Sequence, residues 1–389
     1  MAKGMKLNRS THNPWENLKL SSVINAAGKM TYLGGSAVQE SVAIAMAAGA
    51  SSSVEMKLLK EASAKRIAEL AKAPSALIVA SGSAGIVQSV ASCITGENPN
   101  LIAQVPNVEI AKREILIQKP HAIDYGVPVT QLIRLGGGVP IEIGSSNRAN
   151  KEQIASAISA NTAAIFYIVS HHVQAECWAS LEEVVAVARK ANLPVIVDAA
   201  AESDLSKYLK IGASLVVYSG HKAIGAPTSG LILGESRYVK SCAAQEIGVG
   251  RAMKVSKEAI AGLLVALDKY TSASMDNQSK NLEKTLKIIT SGTKSSARAE
   301  LNLIWDETRP IPRLEITFHQ NGESEAKALI AHFKANKPAI WTRNHKTVDG
   351  IVGIDPRELS ETDAEEISVS LNEFLKKPAT KRLFKSRKR

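Results

Sequence analysis

Only three cysteines occur in the 389 residues: Cys93, Cys177 and Cys242. An odd, widely spaced set excludes a disulfide framework and a zinc site, and it fits a reducing, cytoplasmic compartment. No apolar run reaches the ~18 residues that a membrane-spanning helix requires, so no membrane partner is expected. Residues 1–20 are basic but hold no apolar stretch of the kind found in secretory signals. No internal repeat interrupts the pattern. Hydrophobic residues make up 45% of the chain, which excludes a disordered polymer, and the length suits one large or two medium domains.

The net charge of +11 at first suggests a nucleic-acid partner. Its distribution says otherwise. Residues 376–389 hold Lys376, Lys377, Lys381, Arg382, Lys385, Arg387, Lys388 and Arg389 and no acid. Residues 1–20 hold Lys3, Lys6, Arg9 and Lys19 against Glu16. The rest of the chain is balanced, so the excess belongs to a basic leading segment and a basic tail, and a nucleic-acid partner is not expected.

Between these ends the chain alternates amphipathic helical patterns with short apolar runs at residues 76–80, 114–117, 163–169, 194–197, 214–217 and 230–233. Each run is rich in Ile and Val and apolar on both faces, as in a central strand covered on two sides. Helical stretches such as residues 54–71 and 181–191 lie among them. The alternation predicts an α/β domain with a largely parallel sheet. After Gly250 the texture changes. A long helical pattern over residues 256–289 is followed by a polar stretch, 290–298, and then by a smaller α+β unit. That unit reads as strand 313–318, helix 324–335, strand 350–354 and helix 361–375. The expected divisions are a leading segment, 1–20, a main domain, 21–275, a small domain, 276–375, and a tail, 376–389.

Two residues carry most of the chemistry. Asp198 ends the apolar run at 195–197, and Lys222 follows the next run within Ser219-Gly-His-Lys-Ala-Ile-Gly225. Both fall at the carboxyl rim, where α/β sheets bind ligands. Either alone is an ordinary surface lysine or capping aspartate. Spaced on consecutive strands, they are what pyridoxal 5'-phosphate needs. A lysine forms its Schiff base, and an anion keeps its ring nitrogen protonated so that the ring serves as an electron sink. Ser81-Gly82-Ser83-Ala84-Gly85 follows another strand and opens a helix, offering donors to a phosphate. Ser219 and His221 lie within reach of the same group. His121 sits at the same rim, where an imidazole stacks on a pyridine ring. Ser170-His171-His172 ends a further strand close to where the cofactor's ring hydroxyl or the substrate would lie, with Ser170 a cofactor contact, and extended-chain geometry turns the two histidines to opposite sides, against paired metal ligation.

Ile24-Asn-Ala-Ala-Gly28, Ser81 to Gly85, Val197-Asp-Ala-Ala-Ala-Glu202, Ser219-Gly-His-Lys222, Ala226-Pro-Thr-Ser-Gly230 and Gly250-Arg-Ala-Met-Lys-Val255 together resemble the selenocysteine-synthase-like branch of fold-type-I pyridoxal-phosphate enzymes. Leu132-Ile-Arg-Leu-Gly-Gly-Gly138 and the Ser170-His-His172 stretch are similar to its D-glucosaminate-6-phosphate ammonia-lyase subgroup. The resemblance spans roughly residues 20–375. It implies a mainly parallel seven-stranded sheet, Lys222 as the Schiff-base lysine, Asp198 as the pyridinium partner and His121 as the stacking residue. It further implies phosphate contacts from Ser81, Gly82, Ser83, Ser219 and His221. Asn25, Thr31 and Ser36 lie where that branch's N-terminal segment reaches the active site, and Arg251 and Arg313 are candidate clamps for a substrate carboxylate or phosphate.

The expected activity is removal of ammonia and the β-hydroxyl from a small anionic amino acid, with Lys222 as base and His171 or His172 as acid. Racemase, aldolase, aminotransferase and oxygen-dependent oxidase chemistries share the same start. A selenium transfer to aminoacyl-tRNA is the alternative from another class. The few residues before Ile24 leave no room for the helical tRNA-gripping domain of bacterial selenocysteine synthases. A homodimer or larger homo-oligomer is expected.

Overall fold

The computed structural model describes residues 15–170, 173, 177–272, 275–306 and 311–379. In chain order its strands are β1 (Ile24–Ala26), β2 (Ser75–Val79), β3 (Glu114–Gln118), β4 (Val139–Ile143), β5 (Thr162–Ile168), β6 (Val195–Asp198), β7 (Leu215–Ser219), β8 (Gly230–Gly234), β9 (Glu300–Trp305), β10 (Pro312–Thr317), β11 (Ile340–Thr342) and β12 (Ile351–Ile354). The chain divides into two units. One is Val38–Thr271, and the other combines Met1–Ala37 with Ser272–Arg389.

The larger unit is built on a seven-stranded sheet in the order β2-β8-β7-β6-β5-β3-β4. Only β8 runs against its neighbours, β2 and β7. Every residue of β5, β6, β7 and β8 is buried. Successive side chains serve opposite faces. Ile165, Val197 and Val216 join one apolar cluster with Ile67 and Val184, while Phe166, Ile196 and Val217 join another with Val87 and Ile133. Helices therefore cover both sides, which is why these strands read as continuous apolar runs.

Sharp helix starts follow from local chemistry. Ser180 accepts from Glu183 N–H while Glu183 reaches back to Ser180 N–H, a capping box opening helix Leu181–Lys190. Ser81 caps helix Gly82–Thr95 by accepting from Ala84 N–H at 3.0 Å.

In the smaller unit, β12, β10 and β9 form an antiparallel sheet. Leu314, Ile316, Val352 and Ile354 are buried with Leu286, Leu329, Phe333, Ile367 and Leu371. These come from helices Met275–Gly292, Gly322–Ala335 and Glu361–Lys376. β1 pairs in parallel with β11, aligning Ile24 with Ile340.

The long helical pattern expected over 256–289 is realised as two helices, Lys257–Ser272 and Met275–Gly292. Four strands carried no clear signal, among them β9, none of whose residues is fully buried. β4 contains Pro140 and Glu142 and lies at the sheet edge, where burial is partial. β1 and β11 are only three residues long.

Candidate active site

The parallel strands of the larger unit end at one rim. Asp198 is the last residue of β6, and Ser219 is the last of β7, leading directly into Gly220, His221 and Lys222. Ile168 ends β5 and stands in register with Asp198. β2 delivers Ser81 and the start of helix Gly82–Thr95.

Asp198 is 6% exposed. Its Oδ1 accepts Ala200 N–H at 3.0 Å. Burial raises its pKa, and the Ala200 N–H and the Lys222 ammonium act in the opposite direction. A carboxylate in this setting gains from a cationic partner. The ammonium of Lys222 is close enough for its charge to act on the carboxylate.

The helix start offers backbone N–H groups without intrahelical partners. A side chain at Gly82 would meet only Ala200 and Ser219, with their Cβ atoms 3.6 Å away, so the absence of one leaves an open cradle there. Gly230, the first residue of β8, is packed directly on it, since a Cβ there would lie 2.5 Å from the Ser81 carbonyl. Ser219 Oγ and His221 Nδ1 are 3.2 Å apart, bringing both residues to the same edge. The loop after Lys222 is pinned by Gly220 N–H on Ser229 O and Ala226 N–H on Gly220 O, both at 2.8 Å.

His121 is wholly buried. Its Nδ1 accepts Ile168 N–H at 3.2 Å, and among the described residues its Nε2 has no hydrogen-bond partner. The ring meets Tyr167 edge-on, with centroids 4.5 Å apart, and Trp178 at 6.3 Å. Burial lowers its pKa to about 4. Ser170 follows the end of β5, while His171 and His172 lie outside the described residues.

Sequence reasoning missed Tyr125. The turn 122–128 that follows His121 carries it to the Ser83 hydroxyl and to the vicinity of Asp198. Burial pushes its phenol up, the Asp198 charge adds to this, and the bond with Ser83 opposes it. Its place four residues after a rim histidine was the available signal.

Arg251 is exposed on the short helix Val249–Ala252. In the smaller unit the N-terminal residues are engaged locally. Asn25 Oδ1 accepts the N–H groups of Ala27 and Gly28, both at 3.1 Å, and its Nδ2 donates to Gly28 O at 2.9 Å. Thr31 is exposed, and Ser36 hydrogen-bonds the Glu358 carboxylate. Arg313 is held by Asp306 at 2.5 Å and Asp355 at 3.4 Å. Asp355 is completely buried, and Arg357 grips it from Nε at 2.9 Å and Nη2 at 2.8 Å. Arg343 reaches Asp355 only at 3.7 Å, and among the described residues its buried Nε has no partner. Arg343 is therefore the guanidinium of this cluster with donors to spare, a distinction that sequence alone did not draw.

The larger unit's residues fit pyridoxal phosphate. The cradle at Gly82 suits a phosphate, Asp198 suits a pyridinium, Lys222 suits the aldehyde, and the buried Nε2 of His121 lacks an acceptor among the described residues.

A family model described as L-seryl-tRNA selenium transferase matches residues 23–303. The chain is 36% identical over 365 residues to a D-glucosaminate-6-phosphate ammonia lyase of Salmonella typhimurium, covering 94% of this chain and 98% of the relative. It is 34% identical to a 5'-C-glycyluridine monooxygenase-decarboxylase of Streptomyces sp, covering 93% and 92%. A solved structure of D-glucosaminate-6-phosphate ammonia-lyase superposes with a TM-score of 0.86 over 94% of this chain and 98% of its own. The chain thus belongs to the L-seryl-tRNA selenium transferase family and is a pyridoxal-phosphate-dependent enzyme of fold type I.

Proposed function

We propose that this enzyme is an ammonia-lyase for a small anionic amino acid of the amino-sugar acid phosphate class, yielding a 2-keto-3-deoxy acid. The observation that carries the reading is Asp198 buried beside Lys222 at the rim shared with the Gly82 cradle. Near-full-length similarity to a D-glucosaminate-6-phosphate ammonia lyase supports it.

Bound here, pyridoxal phosphate supplies an electron sink for negative charge at the substrate Cα. Gly82 and Ser83 bind its phosphate through backbone N–H groups, with Ser81, Ser219 and His221 around them. Asp198 holds a proton at the pyridine nitrogen, and Ala200 N–H keeps the carboxylate oriented. Lys222 would accept the Cα proton at Nζ. His171 or His172 gives a proton to the departing β-hydroxyl, which leaves as water. Hydrolysis of the C–N bond takes that water back and releases ammonia. Arg251, Arg313 and the under-partnered Arg343 are assigned to anionic groups. Asn25, Thr31 and Ser36 retain their assignment to substrate binding, Ser36 through its bond to Glu358.

A homodimer is part of this reading. Helix Glu40–Ala50 is apolar over most of its length yet buries only Val42, and Ile44, Val54, Leu58 and Ile247 are exposed on the same unit. Such a surface calls for cover by a second copy. The three cysteines are free, in keeping with a cytoplasmic enzyme. No helix among the described residues is long and apolar enough to cross a membrane.

Purified protein is expected to be yellow and to bleach with borohydride, and Lys222→Ala is expected to be colourless. Ammonia release is then screened over phosphorylated and plain sugar amino acids. Similarity to a monooxygenase-decarboxylase favours one second reading, an oxygen-dependent reaction. An oxygen electrode in the same assay decides, since uptake without ammonia would replace the lyase reading.

A further inference from the structure

The chain has only seven tyrosines. Three of them spend their hydroxyls on one short loop, residues 199–206, which begins immediately after Asp198. Tyr208 donates to Glu202 Oε2 at 3.1 Å, Tyr218 to Asp204 O at 2.8 Å and Tyr270 to Ser203 O at 2.5 Å. They come from three different elements: helix Lys207–Ile211, β7 and helix Lys257–Ser272. All three belong to the apolar layer on one face of the sheet, where Tyr208 and Tyr218 are 4% and 1% exposed. A buried phenol gains most from a hydrogen bond that replaces its lost water. Burial raises the pKa of Tyr270 to about 12, so the group stays a donor.

The held loop is tied to the catalytic rim at its other end. Ala199 N–H bonds Val217 O at 3.0 Å, Ser219 N–H bonds Ala200 O at 3.1 Å, and Ala200 N–H bonds Asp198 Oδ1. Ala200 also borders the Gly82 cradle. The loop thus touches the carboxylate, the cradle and the residue before the Lys222 turn.

We infer that Tyr208, Tyr218 and Tyr270 are positioning residues, a clamp that fixes the Asp198 carboxylate and the Ala200 wall of the cradle for the cofactor. None of the three meets the reacting atoms. Their action passes through residues 199–204. The inference rests on the pyridoxal-phosphate reading and goes beyond it by assigning loop geometry to named hydroxyls.

The test uses holoprotein carrying Tyr208→Phe, Tyr218→Phe and Tyr270→Phe, singly and combined. Three quantities are measured: the pyridoxal-phosphate dissociation constant, the midpoint of the pH titration of the bound cofactor's visible band, and Tm. The combined variant is expected to bind the cofactor about tenfold more weakly, the scale of lost buried hydrogen bonds. Its titration midpoint is expected to move in the direction of Asp198→Asn, and the single variants to show smaller shifts of the same sign. Unchanged affinity and midpoint in every variant that folds, whatever happens to Tm, would overturn the clamp and leave three structural tyrosines. If the combined variant does not fold, Tyr270→Phe decides by the same two readouts. Wild-type protein that takes up no pyridoxal phosphate would overturn the cofactor reading itself, and that result is visible before any variant is compared.

Discussion

Ile168 donates its backbone N–H to Nδ1 of His121 at 3.2 Å, from the strand position in register with Asp198. That bond leaves the imidazole proton on Nε2, a tautomer inferred from the network. Burial lowers the His121 pKa to about 4, below its unfolded value of ~6.5. The folded state therefore binds fewer protons than the unfolded one between those values. Stability is full above ~6.5 and falls as pH drops toward 4, by about 3 kcal/mol at most. Urea midpoints of the cofactor-free protein at pH 7 and pH 5 should show this loss, and His121→Phe should flatten it. Equal pH slopes in the two proteins would remove His121 from the account.

Asp198 gives the opposite sign. Its pKa is raised by burial, so the ionised form strains the cofactor-free protein, and stability falls as pH rises through the folded value. Asp198→Asn should raise the neutral-pH stability of the cofactor-free protein while cutting turnover by roughly 10²-fold or more. Calorimetry with and without pyridoxal phosphate checks both halves. A variant less stable than wild type in the cofactor-free form would contradict the argument.

Two glycines separate cradle from scaffold. Gly82→Ala places a Cβ 3.6 Å from its neighbours, an ordinary contact, so Tm should hold while cofactor affinity falls. Gly230→Ala drives a Cβ to 2.5 Å from the Ser81 carbonyl, and backbone must move. It should cost about 1–3 kcal/mol and weaken cofactor binding as well. Thermal melts paired with absorbance titrations distinguish the two.

In the smaller unit Asp355 carries the larger load. It compensates Arg357 and Arg313 and lies 3.7 Å from Arg343. These groups hold its pKa below the usual carboxylate value although burial opposes them. Its contribution therefore persists above the unfolded pKa and is lost only as pH falls through the lowered one. Asp355→Ala should cost about 3–5 kcal/mol by stranding buried guanidiniums. Arg343→Ala should leave stability nearly unchanged and raise KM for an anionic substrate. A destabilisation by Arg343→Ala equal to that of Asp355→Ala would make Arg343 part of the scaffold.

Much of this was legible in advance, for physical reasons. The strands of the larger sheet that are covered on both faces announce themselves by uninterrupted Ile and Val, and their ends locate Asp198 and Lys222. β4 escaped because an edge strand with Pro140 and Glu142 lacks that pattern. Side-chain engagement was not legible. Asn25 and Arg313 are chemically suited to a substrate, yet the folded chain spends them largely on Gly28 and on Asp306 and Asp355. Tyr125 and Arg343 stood in loops whose direction only tertiary structure sets. The tyrosine bonds to residues 199–206 depend on three elements meeting, which no local pattern encodes.

The parallel pairing of β1 with β11 has a consequence for synthesis. Ala37 donates its N–H to Glu358 across a separation of 321 residues, and β1 lies still nearer the start. At ~5–20 residues per second, roughly 15–60 s pass between the emergence of the first strand and that of its partner. The larger unit's chain is fully translated within that interval, while Ile24 and its neighbours wait on the ribosome without their sheet.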